Sequence, residues 1–513
     1  MRLLCLVAAA ALSVCCHAGI PLPAQHFANL VDHFAAPTDP PRTFQQRYYQ
    51  IEEHFGGPGS PIILIVGGEG AVEPSTGVFY PWVGVNLAER LHALVVQPEH
   101  RFYGTSNPAG PPPFSRDALR LLTPQQALAD TAALIEAKRR QFGCTARGTP
   151  GYCPAITLGG SYPGWLSAMM RLRYPAVVDM AYSASAPTLM YAQRTPHAAY
   201  YAKVTQSAER ALPGCPAAVR AAIADYLAIE SKAGVVQALG LCTSAASMPH
   251  YIAAGGLPTL QRAVNMVLMY TFASLNMENY PPNNETALAR SCAALVARPT
   301  SAGLRAFLLN QGQDAGRYRS AFGHGGERDA GAVTAVASAA TPCFNMSAQL
   351  AAGPRATISA GDFSGVGAGL NGESWDYETC TLLVERIETN NKTDMFPARV
   401  WSDEWLAQHC KQRFGVAPQP RRLADLWGFD DMAALTSRIV FTNGLNDGWS
   451  VGSVLANLSD SLVAINMPNG AHHSDLSHDP PGPRDTPDVT AARAQATALL
   501  ERWLHEISVS VSV

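Results

Sequence analysis

At 513 residues the chain is too long for one ordinary hydrophobic core, so one large domain with an insertion, or two domains, is expected. Hydrophobic residues reach 47%, enough to bury a sizeable interior, while charged residues are only 15% against a usual ~25%. A formal net charge of −3 argues against an electrostatic nucleic-acid binder.

The first 18 residues read as a secretory signal peptide. Arg2 supplies the positive start, Leu3 to Cys15 is mostly apolar, and Cys16-His17-Ala18 ends on a small residue. The run is short of the ~20 residues that would span a bilayer, and no later stretch is long and apolar enough. The mature protein is therefore expected to be soluble and outside the cytosol. Cysteine usage agrees, because eight of the 11 cysteines lie beyond the signal: Cys144, Cys153, Cys215, Cys242, Cys292, Cys343, Cys380 and Cys410. An even set in a secreted chain points to disulfides, with Cys144 and Cys153 near enough for a local loop and the others stapling the middle of the chain. The mature chain has no C-x-x-C pair, so a zinc site is not expected. Sequons at Asn284, Asn345, Asn391 and Asn457 are candidate glycan sites.

After a proline-rich entry, Phe44 to Ile51 reads as an early strand. Ile62 to Val66 is a continuous apolar run of the buried parallel type, ending in Gly67-Gly68-Glu69-Gly70. Glycines there let backbone N–H groups face a site, although an ordinary turn would use the same residues. A helical stretch, Val85 to Leu91, precedes the strand Ala93 to Val96. The charges of Glu99-His100-Arg101 that follow read more simply as an ion-paired loop than as site residues. Thr123 can cap a helix to Gln141, with Pro124 suited to its first turn.

Next comes Leu158-Gly159-Gly160-Ser161-Tyr162-Pro163-Gly164. A short β-type run from Ala155 leads in, and a helical run from Trp165 to Tyr174 leads out. A serine on a glycine-flanked turn between strand and helix is the nucleophile elbow of α/β-hydrolases. The turn projects the hydroxyl toward a base, and the backbone N–H of Tyr162 points at the developing oxyanion. Pro163 is the odd residue, tolerable because the first helical turn has no partner for its missing N–H. In such hydrolases the second oxyanion donor comes from a loop like that of Gly68. Val177 to Ala184 is the following strand, and strands alternating with helices imply a parallel α/β sheet.

From Pro187 to Leu423 the pattern turns helical, as in Ala217 to Ala233 and Leu260 to Leu275, with Gly-, Pro- and Asn-rich loops. The expected organisation is a signal at 1–18, hydrolase segments at 19–186 and 424–513, and a helical cap inserted at 187–423. Gly367 to Gly372 matches G-x-G-x-x-G by letter, but it follows no strand and opens no helix. The α/β pattern resumes at Arg438 to Gly444 and Ser461 to Asn466, and a last helix runs from Asp488 to His505.

Both remaining members of a serine triad follow in the hydrolase order. Asp447 comes after one late strand and His472 after the next. The Asp would orient the imidazole and the His would take the serine proton. An Asx turn at Asn446-Asp447-Gly448 and a metal cluster of His472, His473, Asp475 and His478 are the alternatives. Three residues in the right order, each after a strand, favour the triad.

These stretches also carry a resemblance. Val31 to Phe34, Phe44 to Tyr48, Gly67 to Gly70, Glu99 to Gly104, Gln126 to Asp130, Gly159 to Gly164, Trp375 to Tyr377, Thr393 to Pro397, Asn443 to Trp449 and Gly470 to Asp475 resemble the prolyl carboxypeptidase family of serine peptidases. That family includes dipeptidyl peptidase II and thymus-specific serine protease, and the cap motifs resemble the prolyl carboxypeptidase and dipeptidyl peptidase II branches more than the thymus-specific one. Pro163 and Gly448 depart from it, which commonly has Gly or Ala and then Pro at those places. The resemblance implies an α/β-hydrolase fold with a large, mainly helical cap. It implies a secreted or lysosomal exopeptidase acting on short peptides after proline, with Ser161 as nucleophile, Asp447 as acid and His472 as base. No cofactor is needed, and a homodimer is compatible with it. It leaves open which chain end is trimmed; Asp376 and Glu378 are candidate anions for a substrate ammonium. A lipase or esterase on the same fold, and a non-catalytic binding protein that kept it, are the rival readings.

Overall fold

The computed structural model describes residues 22–509 apart from 37, 73–79, 113, 245–246, 319–342, 347–371 and 478–484. The signal segment, most of the 367–372 glycine motif and His478 lie outside the described residues.

Eight strands form one sheet: β1 (Gln25–Leu30), β2 (Thr43–Ile51), β3 (Ile62–Ile65), β4 (Leu94–Pro98), β5 (Ala155–Gly160), β6 (Met180–Ala184), β7 (Ile439–Gly444) and β8 (Leu462–Met467). Their order is β1-β2-β4-β3-β5-β6-β7-β8. The pairs from β4 to β8 are parallel, and β1 and β2 are added antiparallel at one edge. The apolar runs are continuous because both sheet faces are covered. Ile62 and Leu64 of β3 point to one face, against α1 (Pro124–Gln141) and α2 (Tyr162–Arg173), while Ile63 and Ile65 point to the other. Thr123 caps α1 as expected, its side chain accepting from Gln126 N.

Between β6 and β7 lie α3 (Ala199–Ala211), α4 (Cys215–Leu227), α5 (Lys232–Leu239), α6 (Leu257–Met277), α7 (Ala287–Ala297), α8 (Gly372–Thr379) and α9 (Asp403–Phe414), with a further long helix over Ser301–Tyr318 and shorter helical turns between them. The single helix expected from Ala217 to Ala233 is two. Ser231 takes extended backbone and its side chain accepts from Gly234 N, which starts a new helix rather than continuing the old one. Helices α3, α4, α6 and α7 share one apolar core that includes Tyr200, Val219, Phe272 and Leu288. Trp375 of α8 and the later Leu383 and Trp427 pack instead on the hydrolase core, where Trp427 stacks on Trp165 of α2 at 5.3 Å. The segment between β6 and β7 thus packs on the hydrolase core through its later part.

All eight cysteines beyond the signal are paired: Cys144–Cys153, Cys215–Cys292, Cys242–Cys343 and Cys380–Cys410. The first closes the short loop expected after α1; the other three lie within the insertion. The chain ends in α10 (Pro487–Val509), whose Val489, Ala496, Leu500 and Trp503 cover the second sheet face.

Candidate active site

Ser161 stands at the junction of β5 and α2 with φ 64° and ψ −131°, a conformation that costs a non-glycine residue about 1–3 kcal/mol. The turn is held on both sides. Its N–H donates to the Ala184 carbonyl at the end of β6 (2.8 Å), and its carbonyl accepts from Trp165 N inside α2 (3.0 Å). The neighbouring glycines are there for space. A methyl at Gly160 would lie 2.6 Å from the His473 ring, and one at Gly164 would lie 2.7 Å from the Ala184 carbonyl oxygen.

Asp447 and His472 meet directly, with His472 Nδ1 2.6 Å from Asp447 Oδ2 and both residues buried. A carboxylate only accepts, so Nδ1 carries the proton and Nε2 is left as the basic nitrogen. The other Asp447 oxygen accepts from Trp449 N (3.1 Å). Asn446 N also donates to Gly470 O (2.9 Å), and a methyl at Gly444 would lie 2.0 Å from Ala471 O, so the two loops are sewn together. The His loop closes on the elbow through His473. Its N–H donates to Ser185 Oγ (2.9 Å) and its ring abuts Gly160. Ser161, Ser185 and His473 all take positive φ at this sheet edge, a concentration of strain typical of functional sites.

Tyr162 opens α2, so its N–H has no partner within the helix. Gly68 lies over the same turn, since a methyl there would be 2.4 Å from Pro163 Cγ. Pro163, the odd residue of the elbow, is thus what makes glycine necessary at 68. Among the described residues, Asp475 and the neighbouring histidines do not gather as a metal cluster: Asp475 accepts from Tyr182 OH (2.6 Å) and His472 is turned to Asp447.

A family model described as "Serine carboxypeptidase S28" matches residues 29–248 and 333–496. The chain belongs to the S28 serine carboxypeptidase family. The mouse lysosomal Pro-X carboxypeptidase is 30% identical over 93% of this chain and 88% of its own length. The mouse thymus-specific serine protease is 28% identical over 92% of this chain and 86% of its own. Among solved structures, a proline iminopeptidase from Mycobacterium smegmatis covers 95% of this chain and 99% of its own at 13% identity, with a TM-score of 0.36. Its family membership and its sheet make the chain a serine-type peptidase on the α/β-hydrolase fold. No helix among the described residues is long and apolar enough to cross a membrane.

Both candidate anions of this S28 chain are buried and engaged. Asp376 is bonded by Arg413 Nη1 and by His409 Nε2 (2.9 Å). Glu378 accepts from Tyr103 OH (2.6 Å) and from Tyr162 OH (2.8 Å), which ties α8 to the elbow. Glu99 and Arg101 are ion-paired, as the sequence suggested, with Arg47 and Asp130. His100 between them instead faces Tyr162, 3.3 Å from its hydroxyl.

Burial pushes Glu378 up to about 7, with a further upward push from Glu69, against the pull of its two tyrosine donors. Burial alone pushes Glu278 up to about 7. Both ordinarily ionise near 4.5, so between 4.5 and 7 the folded chain binds protons the unfolded chain lacks. Stability then falls as pH rises through that window, by at most about 1.4 kcal/mol per pH unit for each group. His100 works in the opposite direction: burial lowers it to about 4, so stability is lost as pH falls below 6.5. With two groups against one, the melting temperature should be higher near about pH 5.5 than near about pH 7.5. Glu378→Gln should narrow that gap. Differential scanning fluorimetry at the two pH values checks both; a wild-type protein more stable at the higher pH would contradict the assignment.

Proposed function

We propose that this serine peptidase removes the carboxyl-terminal residue of short peptides whose penultimate residue is proline. Ser161 Oγ attacks the prolyl carbonyl while His472 Nε2 takes its proton. Asp447 holds the imidazole in the productive tautomer and stabilises its charged form. The amides of Tyr162 and Gly68 receive the oxyanion. The proton on His472 then passes to the leaving amine, and an acyl-enzyme remains on Ser161. Water enters, gives a proton to His472 and attacks the acyl carbon; the bond to Ser161 Oγ breaks, His472 returns the proton to that oxygen, and the peptide leaves shortened by one residue.

The observation that carries this reading is the Asp447–His472 pair on loops that close against the strained Ser161 elbow. Two points support carboxyl-end trimming. The relatives matched over most of their length include one named as a Pro-X carboxypeptidase. Asp376, an expected ammonium acceptor, is already ion-paired with Arg413 and hydrogen-bonded to His409. The helical segment 187–423 serves as the cap over hydrolase segments 19–186 and 424–513, and the site of action is the lysosome or the secreted space.

A pair of peptides, one with proline and one with alanine at the penultimate position, each with a free or acetylated amino end, tests the proposal by mass spectrometry. Loss of one carboxyl-terminal residue is expected from both proline peptides and not from the alanine peptides. Release of an amino-terminal dipeptide, blocked by acetylation, would overturn the assignment of the chain end.

A further inference from the structure

We propose that Asn276, at the carboxyl end of insertion helix α6, is a positioning residue for the Asp447–His472 pair; this rests on the triad reading above. Asn276 is fully buried and its side chain brackets Asp447. Its Nδ2 donates to the carbonyl of Asn446 (2.8 Å), the residue before the acid, and its Oδ1 accepts from the N–H of Gly448 (2.6 Å), the residue after. A carboxamide has the donor and acceptor on one plane that this demands, so it acts as a length of backbone laid against the acid loop. Ser207 Oγ of α3 donates to the same Asn446 carbonyl (2.7 Å).

The next residue holds the other loop. The carbonyl of Met277 accepts from His472 N (3.2 Å), and the carbonyl of Asn279 accepts from Asn446 Nδ2 (3.2 Å). One helix end therefore fixes the backbone on both sides of the 2.6 Å contact between Asp447 and His472. Gly448 shows how close the approach is: a methyl there would lie 2.9 Å from Tyr200 and 3.0 Å from Val204 of α3. The insertion cannot move away from the sheet as a body and leave the acid and base where they are. Its seating sets the geometry of the pair, not only access to the site.

Removing the bracket frees the acid loop and lets the carboxylate drift from Nδ1. A misplacement of this kind costs roughly ten- to hundredfold in kcat. The imidazolium also loses part of its counter-charge, so the acid limb of kcat/KM moves to lower pH. Asn276→Ala should show both effects with KM little changed. Ser207→Ala, which removes one of two donors on Asn446, should show the same signs at smaller size. A purely structural role would reduce the number of active sites and leave the limb where it was.

The experiment measures kcat, KM and the pH profile of each variant on a proline peptide, normalised to sites counted by complete fluorophosphonate labelling. Normal kcat per site with an unmoved limb in Asn276→Ala overturns the inference. If that variant does not fold, normal values in Ser207→Ala overturn it. Wild type and Ser161→Ala run alongside keep the two readings apart. An unlabelled wild type or an active Ser161→Ala defeats the triad, whereas a labelled wild type with an indifferent Asn276→Ala defeats only the positioning role.

Discussion

Replacing Ser161 with alanine should abolish peptide hydrolysis, lowering kcat by about a millionfold, the scale on which loss of a triad nucleophile acts. The fold should survive. The two bonds that hold the turn, to Ala184 O and from Trp165 N, are made by the backbone of residue 161 and remain with alanine. Alanine meets the same cost at φ 64° as serine does, so the elbow gains no new strain. The melting temperature should change little, and the serine-directed label should no longer bind. Turnover near the wild-type rate in purified, folded Ser161→Ala would remove Ser161 from the chemistry.

The parts of this site legible in the sequence are those set by local patterns. Strand, glycine turn and helix in succession locate Ser161; an aspartate and a histidine after successive late strands locate the other two. Those loops lie side by side because β7 and β8 pair in parallel, so residues following each strand emerge at one edge. Strand β1 was not legible: Gln25–Leu30 is a half-buried, polar edge strand with no apolar run to betray it. Nor was Ser185, whose positive φ is imposed by its neighbours and not by its residue type. Asn276 left only a faint signal, as a polar residue between Leu275 and Met277 in a helix that carries other polar residues such as Gln261, Arg262 and Asn265. What it bonds lies about 170 residues further along the chain, which no local pattern reports.

The charged residues show the same limit from the other side. Asp376 and Glu378 are acidic residues near a site, and as sequence they suit a substrate ammonium. Folded, Asp376 is committed to His409 and Arg413, and Glu378 to two tyrosines. A buried carboxylate is available to a ligand only where the protein has not already satisfied it. Glu378 instead holds the hydroxyl of Tyr162, whose amide is the proposed oxyanion donor.

The two adjacent histidines should part company under mutation. His472 Nδ1 is bound to Asp447, which fixes the tautomer and leaves Nε2 as the nitrogen for the proposed transfer of the serine proton. His472→Ala removes that base and should cost roughly 10⁴- to 10⁶-fold in kcat. His473 has a different environment. Its backbone N–H is taken by Ser185, its ring sits edge-on to Tyr80 at 5.6 Å, and it fills the space over Gly160 that a side chain there would need. His473→Ala opens a hole beside the elbow and removes the ring that packs 4.5 Å from that of His472, but leaves the His472 imidazole and its Asp447 partner in place. It should lower the melting temperature and cost at most about 10²-fold in kcat through a looser Ser161. Both variants are to be measured on one proline peptide, with active sites counted in each. A dead His473→Ala beside a nearly normal His472→Ala would move the base by one residue. It would also require the Asp447 contact to be structural, while leaving the elbow and the reaction class in place.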